Sequence, residues 1–454
     1  MKNFLFKYVI FNLVIVFLSY ILKSDVVSIS VLSMIQISYV SLCIYRVAPI
    51  KLSMGLLFFI ILFLFHSGHN ILYLQGASIS DFWNMTFCSI SDYTNAQIFV
   101  QLSILFISLG YMLVSVDTRK FLVCRLDQIN HRPFLLLFLF TVPLFVMFKL
   151  MQVEVAEAEG YHATYALANN PLFHYGYTFI EICPSLASIM CLLYKNKPKI
   201  QYVLAAFVIV FGTYTMISGH RISALVQILT FAVVYYGAVA NITKKSIVLF
   251  ILAGMFYFIF LPMVSHLRTY GQVDMEHMTE MYQAQNSGEE VSDNSFLIEF
   301  GGTVVSLIYP MKYAGFSYNY MYGSTYLLEL VNILPKKPKF IVETTFYQNA
   351  MVFVDNLPSF VRFALGGSIL GELYSNFSWY GCLFAFLIGV LLKYVDTAIA
   401  TIKKYGQLSY WSIMLILWIP HIIMWIRGYF QGFISFIMII IYIVWRLSLR
   451  KKQL

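Results

Sequence analysis

The sequence predicts an all-α polytopic membrane protein with about 12 transmembrane helices, and three observations predict it. Hydrophobic residues fill 60% of the 454 positions and charged residues only 11%, whereas a soluble chain carries about a quarter charged. Apolar runs of 17 or more residues recur along the whole chain, each able to cross ~30 Å of hydrocarbon as a helix. Lysine and arginine gather in alternate connections between those runs, which is the asymmetry that orients spans across a bilayer.

Taken in order, the runs place spans at 4–22, 27–45, 52–75, 97–116, 134–151, 173–194, 201–217, 223–240, 246–264, 376–394, 408–426 and 429–446. The first, Phe4 to Leu22, is too long for a signal-peptide core and lacks a small-x-small cleavage site, so it reads as a retained span. With both termini cytoplasmic, 19 of the 30 Lys and Arg fall on the inner side, among them Arg119, Lys120, Arg125, Lys403 and Lys404. Only Lys23, Lys149, Arg221 and Arg427 then lie in short outer loops. Of the 21 acidic residues 17 face out, while Asp117, Asp127 and Asp396 lie inside. The net charge of +9 therefore reflects positive-inside sorting and anionic inner-leaflet lipid, not nucleic acid. The six cysteines are scattered without a CxxC, so they form neither a disulfide frame nor a metal site.

The whole chain, 1–454, reads as one membrane domain, with residues 265–375 as an extracytoplasmic cap loop between spans nine and ten. Shorter outer loops cover 76–96 and 152–172, and the first nearly repeats itself, "SISDFWN" then "SISDYTN". The cap is rich in acidic residues and tyrosines and holds a basic knot, "LPKKPKF", around Lys336, Lys337 and Lys339. That knot reads as a solvated surface turn.

Candidate chemistry lies at the outer rim. His220 and Arg221 fall in a turn of about five residues linking spans seven and eight. Alone, Arg221 reads equally well as snorkelling to headgroups. Arg268 at the start of the cap, Arg362 near its end and Arg427 after span eleven shift the balance toward a shared anion site. Guanidinium forks match phosphate oxygens bidentately, so the ligand predicted is a phosphate or diphosphate, as on a polyprenyl-linked sugar carrier.

The second stretch is "ALGGSILGELYSNFSWYG", residues 364–381. Gly366, Gly367 and Ser368 read as a helix start, whose free N–H groups suit an anion. Glu372 and Asn376 are four apart on one helix face, with Tyr374 close by. A carboxylate there suits a general base for a sugar hydroxyl, with His220 as the alternate base; a polar packing segment explains it equally well. His421 and Glu181 are ionisable groups inside spans, which in a membrane are functional by default.

The span layout, the late outer loop, "SGHR" before span eight, "LRTYG" after span nine and "GGSILGELYSNFSWYG" before span ten together resemble the O-antigen polymerase family. The resemblance covers most of the chain in layout, although the arginine-x10-glycine spacing of some members is absent. It implies a glycosyltransferase of the bacterial inner membrane, working on the periplasmic face. A growing glycan would leave undecaprenyl diphosphate and join the non-reducing end of another lipid-linked repeat unit, which is both donor and acceptor. It implies no cofactor and no nucleotide sugar; without an outer Asp-x-Asp motif, metal independence is expected. Arg221 and Arg268 are expected to stabilise the departing diphosphate, with Glu372 or His220 as base. Arg362, Arg427, Tyr270, Tyr374, Asn376, Gly367 and Ser368 are expected to bind substrate, and partners include membrane lipids and a chain-length-regulating co-polymerase. An O-antigen ligase shares the donor and differs in acceptor, and a lipid-linked oligosaccharide flippase has about as many spans but short loops.

Overall fold

The computed structural model describes residues 2–78, 88–159, 182–217, 221–246, 248, 252, 295–331, 339–342, 367–430 and 437–449. The helices in the first half are α1 Lys2–Ile21, α2 Val26–Val47, α3 Met54–Ser67, α4 His69–Leu74, α5 Ile90–Leu113, α6 Arg132–Glu159, α7 Cys183–Leu193, α8 Pro198–Ile217 and α9 Arg221–Val234. Those in the second half are α10 Ser295–Gly301, α11 Val305–Tyr313, α12 Ser324–Val331, α13 Lys339–Val342, α14 Ile369–Phe377, α15 Gly381–Tyr405, α16 Tyr410–Trp425 and α17 Ile437–Leu449. Two short strands, β1 Cys124–Arg125 and β2 Gln407–Leu408, pair antiparallel with Cys124 opposite Leu408.

Seven helical segments among the described residues are long and apolar enough to cross a membrane: Asn3–Ile21, Val26–Val47, Ile90–Leu113, Arg132–Val155, Pro198–Met216, Ile222–Val239 and Ile369–Tyr405. Four shorter apolar helices, α3, α7, α16 and α17, accompany them. The predicted span at 246–264 lies almost wholly outside the described residues.

The chain divides into two units. The first comprises Met1–Val116, Leu297–Thr397 and His421–Ser435; the second comprises Asp117–Phe296, Ala398–Pro420 and Phe436–Leu454. In the first unit polarity runs inside out, as lipid solvation requires. Phe6, Phe17, Leu42 and Leu387 are exposed, while Asn12, Gln36, Asn70, Gln97 and Gln101 are buried. These amides bond one another: Gln36 Nε2 donates to Asn12 Oδ1 at 3.0 Å and to the Gln101 carbonyl at 3.0 Å, and Gln101 Nε2 donates to Ser33 Oγ at 2.9 Å. Interhelical polar bonds of this kind hold helices together where burial of apolar surface does not.

Helix ends depart from the apolar runs wherever polar chemistry sets them. α5 starts at Ile90, not 97, because Ser89 and Asp92 form a reciprocal capping box within the second "SISD" copy. Asp25 likewise caps α2 through Ser28 and Val27, and those bonds hold its carboxyl below the usual carboxylate range. α6 continues to Glu159, so Lys149 lies within a helix and not in a loop, and donates to Gln152 Oε1 at 2.9 Å. The predicted span 52–75 is divided at Gly68, which Gly301 of α10 approaches closely. α15 runs on to Tyr405, well beyond 394.

At its start, α3 takes its caps from two sources. The buried Asp396 on α15 accepts from Met54 N at 2.6 Å, from Gly55 N at 3.1 Å and from the Tyr111 hydroxyl at 2.6 Å. Ser53 accepts from Leu56 N at 3.0 Å. α5 and α15 touch backbone to backbone: a Cβ at Gly110 would stand 2.0 Å from the Phe386 carbonyl oxygen, and one at Gly389 would stand 1.8 Å from that of Ile107. Three helices of the predicted cap loop, α10, α11 and α12, also belong to this unit apart from the first residues of α10. Phe300 stacks on Phe65 at 4.7 Å, the Ile298 carbonyl lies 3.1 Å from His69 Nε2, and Val304, Val305 and Leu307 are fully buried.

Candidate active site

The site is built on α14. Ser368 has extended backbone, φ −156° and ψ 127°, and its Oγ accepts from Gly371 N at 3.0 Å, giving the N-cap that the sequence predicts. Its hydroxyl also meets His66 Nε2 of α3 at 2.7 Å, with both residues buried. His66 Nδ1 lies 3.2 Å from the Leu62 carbonyl. A carbonyl only accepts, so Nδ1 carries the proton, Nε2 accepts, and the Ser368 O–H donates. Behind His66 the bonds continue: Gln97 Nε2 donates to the His66 carbonyl at 2.7 Å, and Asn70 Nδ2 and Ser67 Oγ donate to Gln97 Oε1.

Two glycines let backbone close in on α14. A Cβ at Gly371 would lie 2.2 Å from the Ser306 carbonyl oxygen, and one at Gly367 would lie 2.8 Å from the Gly428 carbonyl. The turn after α16, Trp425 to Phe430, therefore wraps the helix start. Glu372, 1% exposed, receives that turn: Oε2 accepts from Trp425 Nε1 at 2.7 Å and from Phe430 N at 2.9 Å. Oε1 has no hydrogen-bond partner among the described residues. The Thr325 hydroxyl of α12 also reaches this carboxyl, and the charge of the buried Glu329 acts on it. Arg427 lies within the turn, its guanidinium 5.8 Å from the Phe65 ring.

Asn376 is fully engaged. Its Oδ1 accepts from Gly323 N at 2.7 Å, and Nδ2 donates to Thr325 Oγ1 and to the Glu372 carbonyl, both at 2.8 Å. Met321 N and Tyr322 N add bonds to the Ser375 and Asn376 carbonyls. Those ties hold Tyr322 at φ 46°, and Ser378, at the other end of α14, has φ 55°. They are the only non-glycine residues with positive φ among those described, and such strain gathers at functional sites.

The structure thus brings Gly367, Ser368, Glu372, Asn376 and Arg427 together in one unit. Tyr374 turns instead to Phe99, Trp379 and Tyr320, with ring centroids 5.4, 6.2 and 6.4 Å away. Arg221 opens α9 in the second unit. His220, Arg268, Tyr270, Arg362, Glu181, Lys336 and Lys337 lie outside the described residues. His66, Thr325, Glu329 and Trp425 join the site without having been singled out in the sequence. Only His66 carried a signal, an imidazole inside an apolar run.

The family model described as O-antigen polysaccharide polymerase Wzy matches residues 4–452, nearly the full length. The chain belongs to that family. No curated protein and no solved structure matches it. As a member of the O-antigen polymerase family it is an integral membrane protein of polysaccharide biosynthesis, a polymerase of the glycosyltransferase type.

Proposed function

We propose that this O-antigen polymerase works at the periplasmic face of the bacterial inner membrane, transferring a growing glycan from undecaprenyl diphosphate to the non-reducing end of another lipid-linked repeat unit. The observation that carries the site is Glu372: one carboxylate oxygen is fixed by two N–H donors and the other is unpartnered among the described residues. Fixing Oε2 aims Oε1, as a general base requires. The acceptor hydroxyl loses its proton to Glu372 as its oxygen attacks the donor's anomeric carbon, and the diphosphate leaves with the bonding pair. His220 is the alternate base.

Charge then develops on the diphosphate, where guanidinium groups are worth most. Arg221 and Arg268 take that role, with Arg362 or Arg427 assisting and Tyr270 two residues from Arg268; one such donor lowers the barrier by ~3 kcal/mol. The arginines take the charge-stabilising role that a metal ion plays in other glycosyltransferases, so polymerisation is expected to survive EDTA. A chain-length-regulating co-polymerase acts alongside.

The test is a polymer-ladder assay on membranes. Arg221→Ala and Arg268→Ala shorten or abolish the ladder, and Lys restores it only in part; wild-type ladders from inserted Ala variants would falsify the diphosphate role. Glu372→Gln lowers the rate at least tenfold if it is the base. Deleting the protein leaves single repeat units on the lipid A core, whereas a bare core would identify a ligase.

A further inference from the structure

We infer that Tyr326, Glu329 and Glu372 form the subsite for the terminal sugar of the acceptor, which rests on Glu372 being the base. The Tyr326 hydroxyl is buried and, like Glu372 Oε1, has no hydrogen-bond partner among the described residues. The two groups are neighbours, since the Tyr326 ring packs against Trp425 and Phe430, the two residues that bond Glu372 Oε2. Orphaned polar atoms are rare in a folded interior, and two side by side ask for a ligand.

Its chemistry follows from what surrounds it. Glu372 Oε1 needs a donor, and the Tyr326 hydroxyl offers one proton and accepts another. Tyr326 also stands among rings, 5.5 Å from Phe430, 6.1 Å from Trp425 and 6.3 Å from Phe377. A pyranose supplies both halves: adjacent hydroxyls for the polar atoms and a C–H face for the rings. A small cation satisfies Glu372 Oε1 but leaves the phenol and the rings unused.

In this subsite the hydroxyl on Glu372 Oε1 is the nucleophile, while Tyr326 and Glu329 hold the hydroxyls beside it. The O–H bond breaks toward Oε1, and the oxygen forms the new glycosidic bond. The anomeric carbon's bond to the diphosphate oxygen breaks, with its electron pair leaving on the diphosphate.

The full chain in lipid nanodiscs tests this with two substrates: a donor capped at its non-reducing end, which cannot accept, and a short-prenyl repeat unit as acceptor. Tyr326→Phe and Glu329→Gln are expected to raise the acceptor KM about tenfold more than the donor KM. An acceptor KM unchanged in both, in variants that elute monodisperse, overturns the subsite; so does a defect that added sodium or potassium cures. Glu372→Gln separates the two readings, because undiminished kcat there removes the base alone.

Discussion

Ser368 uses its hydroxyl twice, donating to His66 Nε2 and accepting from Gly371 N. The side chain that caps the helix of Glu372 is thereby oriented from α3. Replacing His66 by leucine keeps the bulk but leaves a buried O–H with no acceptor, at about 1–3 kcal/mol; glutamine keeps an acceptor. Expected in the ladder assay is a loss of polymer in His66→Leu that His66→Gln partly restores at equal membrane level. Equal activity in the two would mean that the bond does not reach the chemistry. Part of this was legible in the sequence: glycines and a serine before Glu372 signal a helix start, and a four-residue spacing puts Asn376 on the same face. The rest was not, because His66 reaches Ser368 across 302 residues and Trp425 reaches Glu372 across 53. Glu329 was one carboxylate of the cap loop with no motif around it, indistinguishable until α12 places it. Tyr374 shows the converse, since closeness in sequence turned it toward another face.

At the scale of helices, α3 depends on a carboxylate that α15 supplies. Asp396→Asn keeps the shape but turns an N–H toward one of three donors, and should cost about 1–3 kcal/mol; Asp396→Ala, which orphans all three, should cost more. Thermal unfolding of purified protein in detergent measures both, with melting falling in that order. The α5–α15 crossing is governed by sterics: Gly389→Ala drives a methyl into the Ile107 carbonyl, so the helices separate or the fold fails. Leu387→Ala, two residues away and 62% exposed, is the control. Size-exclusion profiles are expected to be aggregated for the first and monodisperse for the second. Hydropathy located these helices well and their ends poorly, since ends are set by caps such as Ser89–Asp92 and by polar residues such as Asp396 within a helix. It also hid α10, α11 and α12 inside the predicted cap loop, because no apolar run there is long enough to span a membrane.

Across the whole molecule, the first unit gathers residues from the beginning, the late middle and the end of the chain. No apolar pattern announces such an assembly, whereas the charge pattern predicts an orientation that remains to be measured. A fluorescent protein fused after Leu454 is expected to glow in the cytoplasm, and alkaline phosphatase inserted within 274–290 is expected to be active outside; the reverse pair would invert the topology. Arg221 belongs to the second unit and Glu372 to the first, so variants at these two positions probe different units of the protein.

Asn376 has a consequence for motion. By grasping Gly323 and Thr325 at one end and the Glu372 carbonyl at the other, it couples the approach to α12 to the backbone of α14. Through this one amide the helix that carries Glu329 is tied to the helix that carries Glu372.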